Sequence, residues 1–173
     1  MLCSVTAIVC ACANNETKVK SASTDSTGTT TSMAMPYTAA YTDKWTADVS
    51  DADLKTVLDS YKEWENGNMQ ALGNTMGDSV VVDMADGTHL VTTRDQLMKR
   101  WAGYRDSLSG VTIKMDTWNK MYSPDKKDAY VVVWYDETDT YKNGKVDSAS
   151  YHDINQLKDG KIVWYAQYKR PKK

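Results

Sequence analysis

The stretch SYHDINQLKDGKIVWYAQYKRP, residues 150–171, decides how the chain folds. Two strand-like runs flank Lys158-Asp159-Gly160, and Asp-Gly between such runs is a hairpin signal. A turn fixes which residues lie opposite one another, and therefore which side chains share a face. The favoured reading is a three-residue loop, Lys158-Asp159-Gly160, with Gly160 in the left-handed conformation. It sets Asp153 opposite Tyr165, Asn155 opposite Val163 and Tyr151 opposite Gln167. Tyr151, Asp153, Asn155, Tyr165 and Gln167 then form a polar, aromatic face. His152, Ile154, Ile162, Trp164, Ala166 and Tyr168 form an apolar one. A two-residue Asp159-Gly160 turn would instead pair Asn155 with Trp164 and reshuffle both sets.

Working outward, strand-like runs also occupy about 111–122, 129–138 and 147–157, with 161–169 the last, separated by Ser123-Pro124-Asp125, Asn143-Gly144 and Asp159-Gly160. Helical signals precede them. Ser50 and Asp53 have capping spacing ahead of Leu54, Val57, Leu58, Tyr61 and Trp64, one amphipathic stripe that ends at Asn66-Gly67. Asn68 caps a second helix carrying Met69, Leu72 and Met76 up to Gly77. After a strand from Ser79 to Met84, an Asp86-Gly87 turn and a stub at 89–91, Thr93 and Gln96 cap a third helix that buries Leu97, Met98, Trp101, Tyr104 and Leu108 and closes at Gly110. Helices segregated from hairpin-linked strands imply an α+β domain: an antiparallel sheet whose curved inner face the three helices cover.

The bulk of the 173 residues fits one domain: 41% are apolar, 25% charged, and the formal charge is -2. No basic stripe supports nucleic-acid binding, and Lys169, Arg170, Lys172 and Lys173 read as a solvated tail. All three cysteines (Cys3, Cys10, Cys12) fall in the first twelve residues, so no disulfide framework holds the domain. MLCSVTAIVCACANN is a short apolar run that ends in small residues, as cleaved secretory segments do. Its Val9-Cys10-Ala11-Cys12 resembles a bacterial lipoprotein signal, which implies a signal peptide over 1–11, lipidation of Cys12 and residence in the cell envelope, attached to a membrane. From Thr17 to Ser32 Ser and Thr dominate, and residues 12–36 read as a tether. Residues 37–49, with Tyr37, Tyr41 and Trp45, read as a lead-in packed on a domain spanning 50–173.

VLDSYKEWENGNMQAL, DSVVVDMADGTHLVTTRDQL and LKDGKIVWYAQY, in that order, resemble the nuclear transport factor 2-like superfamily, SnoaL-like branch. The lead-in and VVVWYDET are also similar to exported Bacteroidetes-type lipoproteins. The resemblance implies a cone-shaped barrel with one deep pocket on the helix-covered face, and a homodimer through the outer sheet face at Ile154, Trp164 and Tyr168. Alternation through VVVWYDE groups Val132, Trp134 and Asp136, which the resemblance to limonene epoxide hydrolases aligns with their catalytic strand. Asp83 falls where such enzymes carry a polar pocket residue. The expected pocket is therefore Asp83, Trp134, Asp136, Tyr151, Asp153, Asn155, Tyr165 and Gln167, with Trp134, Tyr151, Asn155, Tyr165 and Gln167 as ligand contacts.

Trp134 stands where epoxide hydrolases carry Arg, and Gln167 where they carry their second Asp. His152 points outward in this register, and His89 sits in a loop. No nucleophile elbow, phosphate loop or dinucleotide fingerprint occurs, no zinc ligand set is present, and no cofactor is expected. The expected function is binding of a small, partly apolar molecule in the pocket. One alternative is a cofactor-free isomerase, cyclase or hydratase with Asp83, Asp136 or Asp153 as general base. Another is a surface-assembly module working through the outer sheet face.

Overall fold

The computed structural model describes residues 33–172. The signal-peptide reading, Cys12 and most of the tether fall outside the described residues. Three helices, α1 (Asp51–Asn66), α2 (Met69–Thr75) and α3 (Arg94–Arg105), pack against one six-stranded sheet. The strands are β1 (Met76–Asp83), β2 (His89–Thr93), β3 (Leu108–Ser123), β4 (Asp128–Tyr141), β5 (Val146–Lys158) and β6 (Lys161–Pro171), in the order β2-β1-β6-β5-β4-β3. The sheet is curved and unclosed, an α+β cone. Every hairpin pair is antiparallel, but β1 and β6 pair in parallel, because no short turn joins them.

The helix starts follow from their caps. Ser50 Oγ accepts the Asp53 amide at 3.0 Å and Thr93 Oγ1 accepts the Gln96 amide at 3.4 Å, each satisfying an otherwise orphaned N–H. Gly67 ends α1 with φ 74. The last residue of α3 then reaches across: Arg105 donates to Trp64 O and Glu65 O at 3.3 and 3.2 Å, placing a cation on the C-terminal carbonyls of α1. The two later boundaries shift from expectation. Met76 opens β1 instead of extending α2, and Leu108 opens β3 instead of closing α3, each leaving its helix shorter.

The core lies between α1 and the inner face of the sheet, with Val57, Val80, Val82, Val131, Val133 and Ile162 wholly buried. Of the lead-in, Val49 joins this core and Thr46 bridges Tyr122, while Trp45 packs edge-on against Tyr130 at 5.8 Å. Tyr130 in turn meets Trp164 edge-on at 6.4 Å, and the Trp164 indole donates to Asp83 at 2.7 Å. These contacts partly cover the outer face. What stays open is a stack of Trp134 on His152 at 6.3 Å and His152 on Tyr168 at 4.5 Å.

The decisive hairpin combines two devices. Lys158 pairs with Lys161, so Asp159-Gly160 is a two-residue turn with both residues at positive φ, 51 and 72. A bulge at Val163 then shifts the ladder by one, and beyond it Asn155 pairs with Tyr165 and Asp153 with Gln167. The turn and bulge together preserve the parity that a three-residue loop would give. The polar set of β5 and β6 therefore faces the helices as expected, although every pair differs by two positions. Ile162, which precedes the bulge, is the exception: it pairs with Leu157 and lies in the core instead of outside. Gly160→Ala should lower stability by roughly 1–2 kcal/mol, the cost of a left-handed L-residue, in equilibrium urea unfolding. An unchanged midpoint would count against this turn.

Candidate functional site

The inner face of the sheet does not meet the helices evenly. Between them lies a cavity of about 400 Å³, walled mainly by α1, α3, β4, β5 and β6. The helices contribute side chains from single stripes. Tyr61 and Trp64 lie one turn apart on α1, and Trp101 and Tyr104 one turn apart on α3. The rings interlock. Trp64 stacks on Tyr104 at 6.1 Å and meets Trp101 edge-on at 6.4 Å, and Trp101 meets Tyr165 at 6.1 Å. On the opposite side Tyr61 meets Tyr135 at 5.0 Å, and Tyr135 stacks on Tyr151 at 5.2 Å.

Beneath this wall sits Asp153, 0% exposed. Its Oδ2 accepts three tyrosine hydroxyls: Tyr135 at 2.8 Å, Tyr61 at 3.0 Å and Tyr165 at 3.0 Å. Two of those hydroxyls are themselves set by amides. Asn155 Nδ2 donates to Tyr61 at 3.2 Å, and Gln167 Nε2 to Tyr165 at 2.7 Å, which leaves each phenol proton for the carboxyl. Asp153 Oδ1 has no hydrogen-bond partner among the described residues. Burial raises the Asp153 pKa to about 7, against the opposing pull of the tyrosine hydroxyls.

The expected site residues divide cleanly. Tyr151, Asn155, Tyr165 and Gln167 line the cavity; Asp153 lies directly behind Tyr61, Tyr135 and Tyr165. Asp83, Trp134 and Asp136 do not line it. Asp83 is on the outer face, bound by His89 at 2.6 Å and by Trp164, contacts that hold its carboxyl below the usual range. Asp136 is held low in the same way, by Lys172 at 2.6 Å and Ser150 at 2.9 Å. Trp134 stacks on His152 outside. The physical reason is cross-strand pairing. Val133 is opposite Asp153 and Tyr135 opposite Tyr151, so it is the odd-numbered residues of β4 that turn inward.

That correction exposes what the sequence reading left out: Glu137 and Asp139, next along the same face of β4, both line the cavity. Burial, then the charges of Asp139 and Asp153, push Glu137 up to about 8. Burial likewise raises Asp139, whose Oδ2 accepts Tyr104 at 2.8 Å. Arg100 and Lys169 line the cavity from exposed positions, and Lys169 is engaged by Asp147 at 3.3 Å. Among the described residues no group of three or more His, Cys, Asp or Glu side chains is arranged to hold a metal ion.

The pKa shifts set a direction for stability. Asp153 titrates higher in the folded chain than in the unfolded one, so folding takes up a proton. Its contribution is full at acid pH and is lost as pH rises through about 7. Asp153→Asn should flatten the fall in melting temperature between about pH 4 and pH 7 relative to the parent. Tyr135→Phe should cost about 0.5–1.5 kcal/mol at the acid end, where the carboxyl is neutral, and about 1.5–3 kcal/mol at the alkaline end. Equal costs at both ends would mean that Asp153 does not titrate in this window.

A family model described as a SnoaL-like domain matches residues 57–165, more than half of the chain. No curated protein sequence matches it. Among solved structures, an LEH-like epoxide hydrolase from M. tuberculosis is similar at 11% identity and TM-score 0.60, covering 70% of this chain and 84% of that one. AusH from Aspergillus nidulans is similar at 15% identity and TM-score 0.57, over 70% of this chain and 86% of that one. An NTF2-like protein from Anabaena variabilis is similar at 16% identity and TM-score 0.57, over 71% and 92%. At these identities the likeness is one of fold, and the chain belongs to the SnoaL-like domain family, built on the nuclear transport factor 2-like α+β cone.

Proposed function

We propose that the domain takes a small, partly apolar molecule into the cone, held to a membrane of the cell envelope by lipid on Cys12. The carrying observation is the cavity itself: about 400 Å³, walled by tyrosine and tryptophan rings with amides and charged side chains set among them. That volume and composition suit a small-molecule site. Asn155 and Gln167 supply fixed amides, and Glu137 and Asp139 supply carboxyls. The anchor reading rests on Val9-Cys10-Ala11-Cys12 and the Ser/Thr-rich segment that follows.

A second reading, cofactor-free acid–base chemistry as in an isomerase, cyclase or hydratase, is favoured by one observation. Glu137 stands at the cavity wall with its carboxyl raised to about 8, in the range where a side chain both accepts and returns a proton near neutrality. Asp83 and Asp136 lie outside the cavity, and Asp153 is screened by its tyrosines. The base would therefore be Glu137, assisted by Asp139.

A metabolite panel read by thermal shift tests the binding proposal, since a ligand at 100 times its dissociation constant adds about 2.7 kcal/mol. Ala85, exposed at the cavity, gives the control. Ala85→Trp should leave the unliganded melting temperature unchanged and abolish the shift. A shift that persists in this variant would place the ligand elsewhere. Turnover lost in Glu137→Gln with ligand affinity retained would favour the acid–base reading.

A second copy is the occupant we propose for the outer face. The face is narrower than Ile154, Trp164 and Tyr168 suggested, because Trp45 and Tyr130 partly shield Trp164. The open stack of Trp134, His152 and Tyr168 is its centre. Light scattering should give twice the monomer mass at micromolar concentration, reverting to the monomer in Tyr168→Lys. A monomeric parent would contradict this assignment.

A further inference from the structure

The cavity combines two features that a pocket for a neutral apolar molecule does not need. The first is a close pair of buried acids. Asp139 lines the cavity yet is only 6% exposed; its Oδ2 accepts Tyr104, and the adjoining Glu137 carboxyl holds the proton between the two acids. Two acids brought together in a buried wall keep a proton that either would give up in water, and a positive charge entering the cavity beside them favours the ionised pair. Glu137 stands two residues away on the same face of β4, about 7 Å along the strand by the rise per residue. The second feature is the aromatic wall: the faces and edges of Trp64, Trp101, Tyr104, Tyr135 and Tyr151 surround the same space, and aromatic faces attract cations.

The groups facing this carboxyl pair offset its charge only in part: Glu137 holds its proton near neutrality, and Lys169 is the cation that acts on Asp139. From β6, Lys169 is engaged by Asp147 and lies over the Tyr151 ring at 5.6 Å. From α3, Arg100 is exposed and Tyr104 donates to Asp139. From α1 come Tyr61 and Trp64, from β5 Tyr151 and the buried Asp153, and from β3 the residue opposite Glu137 is the apolar Ile113. Aromatic walls with two carboxyls do not resemble a hard-metal site, which gathers oxygen ligands alone.

Resting on the pocket reading above, we infer that the cavity's ligand is a small organic cation, an alkylammonium group boxed by Trp64, Trp101, Tyr104, Tyr135 and Tyr151 and neutralised by Asp139 and Glu137. Binding of a permanent cation drives the Glu137 proton into the buffer, because the positive charge favours the ionised carboxylate. Affinity therefore rises with pH as Glu137 ionises through about 8.

Calorimetry on the folded chain tests this with choline against neohexyl alcohol, its uncharged isostere with carbon in place of nitrogen. Choline should bind roughly tenfold or more tightly than the alcohol, in line with a desolvated cation–aromatic contact. It should also tighten between about pH 6 and pH 9 and release a proton, detected as a dependence of the heat on buffer ionisation. Asp139→Asn and Glu137→Gln, each checked for an unchanged melting profile at pH 6, should weaken choline about tenfold and leave the alcohol untouched. Glu137→Gln should in addition remove the pH dependence. Equal affinity for choline and the alcohol, or choline binding indifferent to both substitutions, would overturn the cation assignment while the pocket stands. Failure of both probes, together with a silent metabolite panel, would overturn the pocket itself.

Discussion

Three tyrosine hydroxyls on one carboxylate oxygen hold this molecule's interior in register. Asp153 Oδ2 receives Tyr61 from α1, Tyr135 from β4 and Tyr165 from β6, while Asp153 itself belongs to β5. One atom thus ties the helical layer to three adjacent strands. A carboxyl at 0% exposure is tolerated because three hydroxyls hydrogen-bond it and because its pKa, raised to about 7, lets it keep a proton that a surface acid would lose. The arrangement is directional as well. Asn155 and Gln167 donate to two of the phenols, so those hydroxyls point their protons at Asp153 and cannot turn away without orphaning an amide.

This choice of core chemistry follows from composition. The chain has 11 Tyr and 6 Trp and no Phe, so filling the space under the helices with large rings also brings in hydroxyl and indole groups that need partners. Polar partners therefore had to enter the sheet face, and they did so at Asp153, Asn155, Glu137, Asp139 and Gln167. The result is a wall of rings with acids set behind and between them. Packing of this kind leaves a cavity beside the core: Trp64, Trp101 and Tyr104 brace one another by stacking and edge contacts and touch the sheet at Tyr165 and Asp139. The same acids that satisfy the tyrosines give the space its charge.

Most of the architecture was legible in the sequence because it is written in local rules. Capping spacings at Ser50 and Thr93, the Gly67 stop and the Asp-Gly and Asn-Gly turns each act within a few residues. Register acts over longer range and was read less well. The faces of β5 and β6 came out as expected only because a two-residue turn plus a bulge at Val163 has the same parity as a three-residue loop; Ile162, on the near side of the bulge, shows the difference. β4 was assigned from its resemblance to a catalytic strand instead of from its own hairpin. There Tyr141 bonds back to Lys145 across Lys142-Asn143-Gly144, a three-residue loop with Gly144 at φ 84. Counting from that loop puts Val133 opposite Asp153, and once Asp153 is inside, Tyr135, Glu137 and Asp139 must follow. The signal was present but lay in the other hairpin. The helix residues Tyr61, Trp64, Trp101 and Tyr104 were visible as apolar stripes, and nothing in a stripe distinguishes packed rings from rings that wall a cavity.

If Asp153 is the buried, tyrosine-held carboxyl described, its protonation can be observed directly. Infrared difference spectroscopy across a pH titration, with the carboxyl C=O stretch assigned by its loss in Asp153→Asn, reads that one group. The expected result is a protonated-carboxyl band that persists well above the range of surface acids and disappears near pH 7. A band that vanishes together with the exposed carboxylates at acid pH would contradict it, and with it the interior on which the cavity depends.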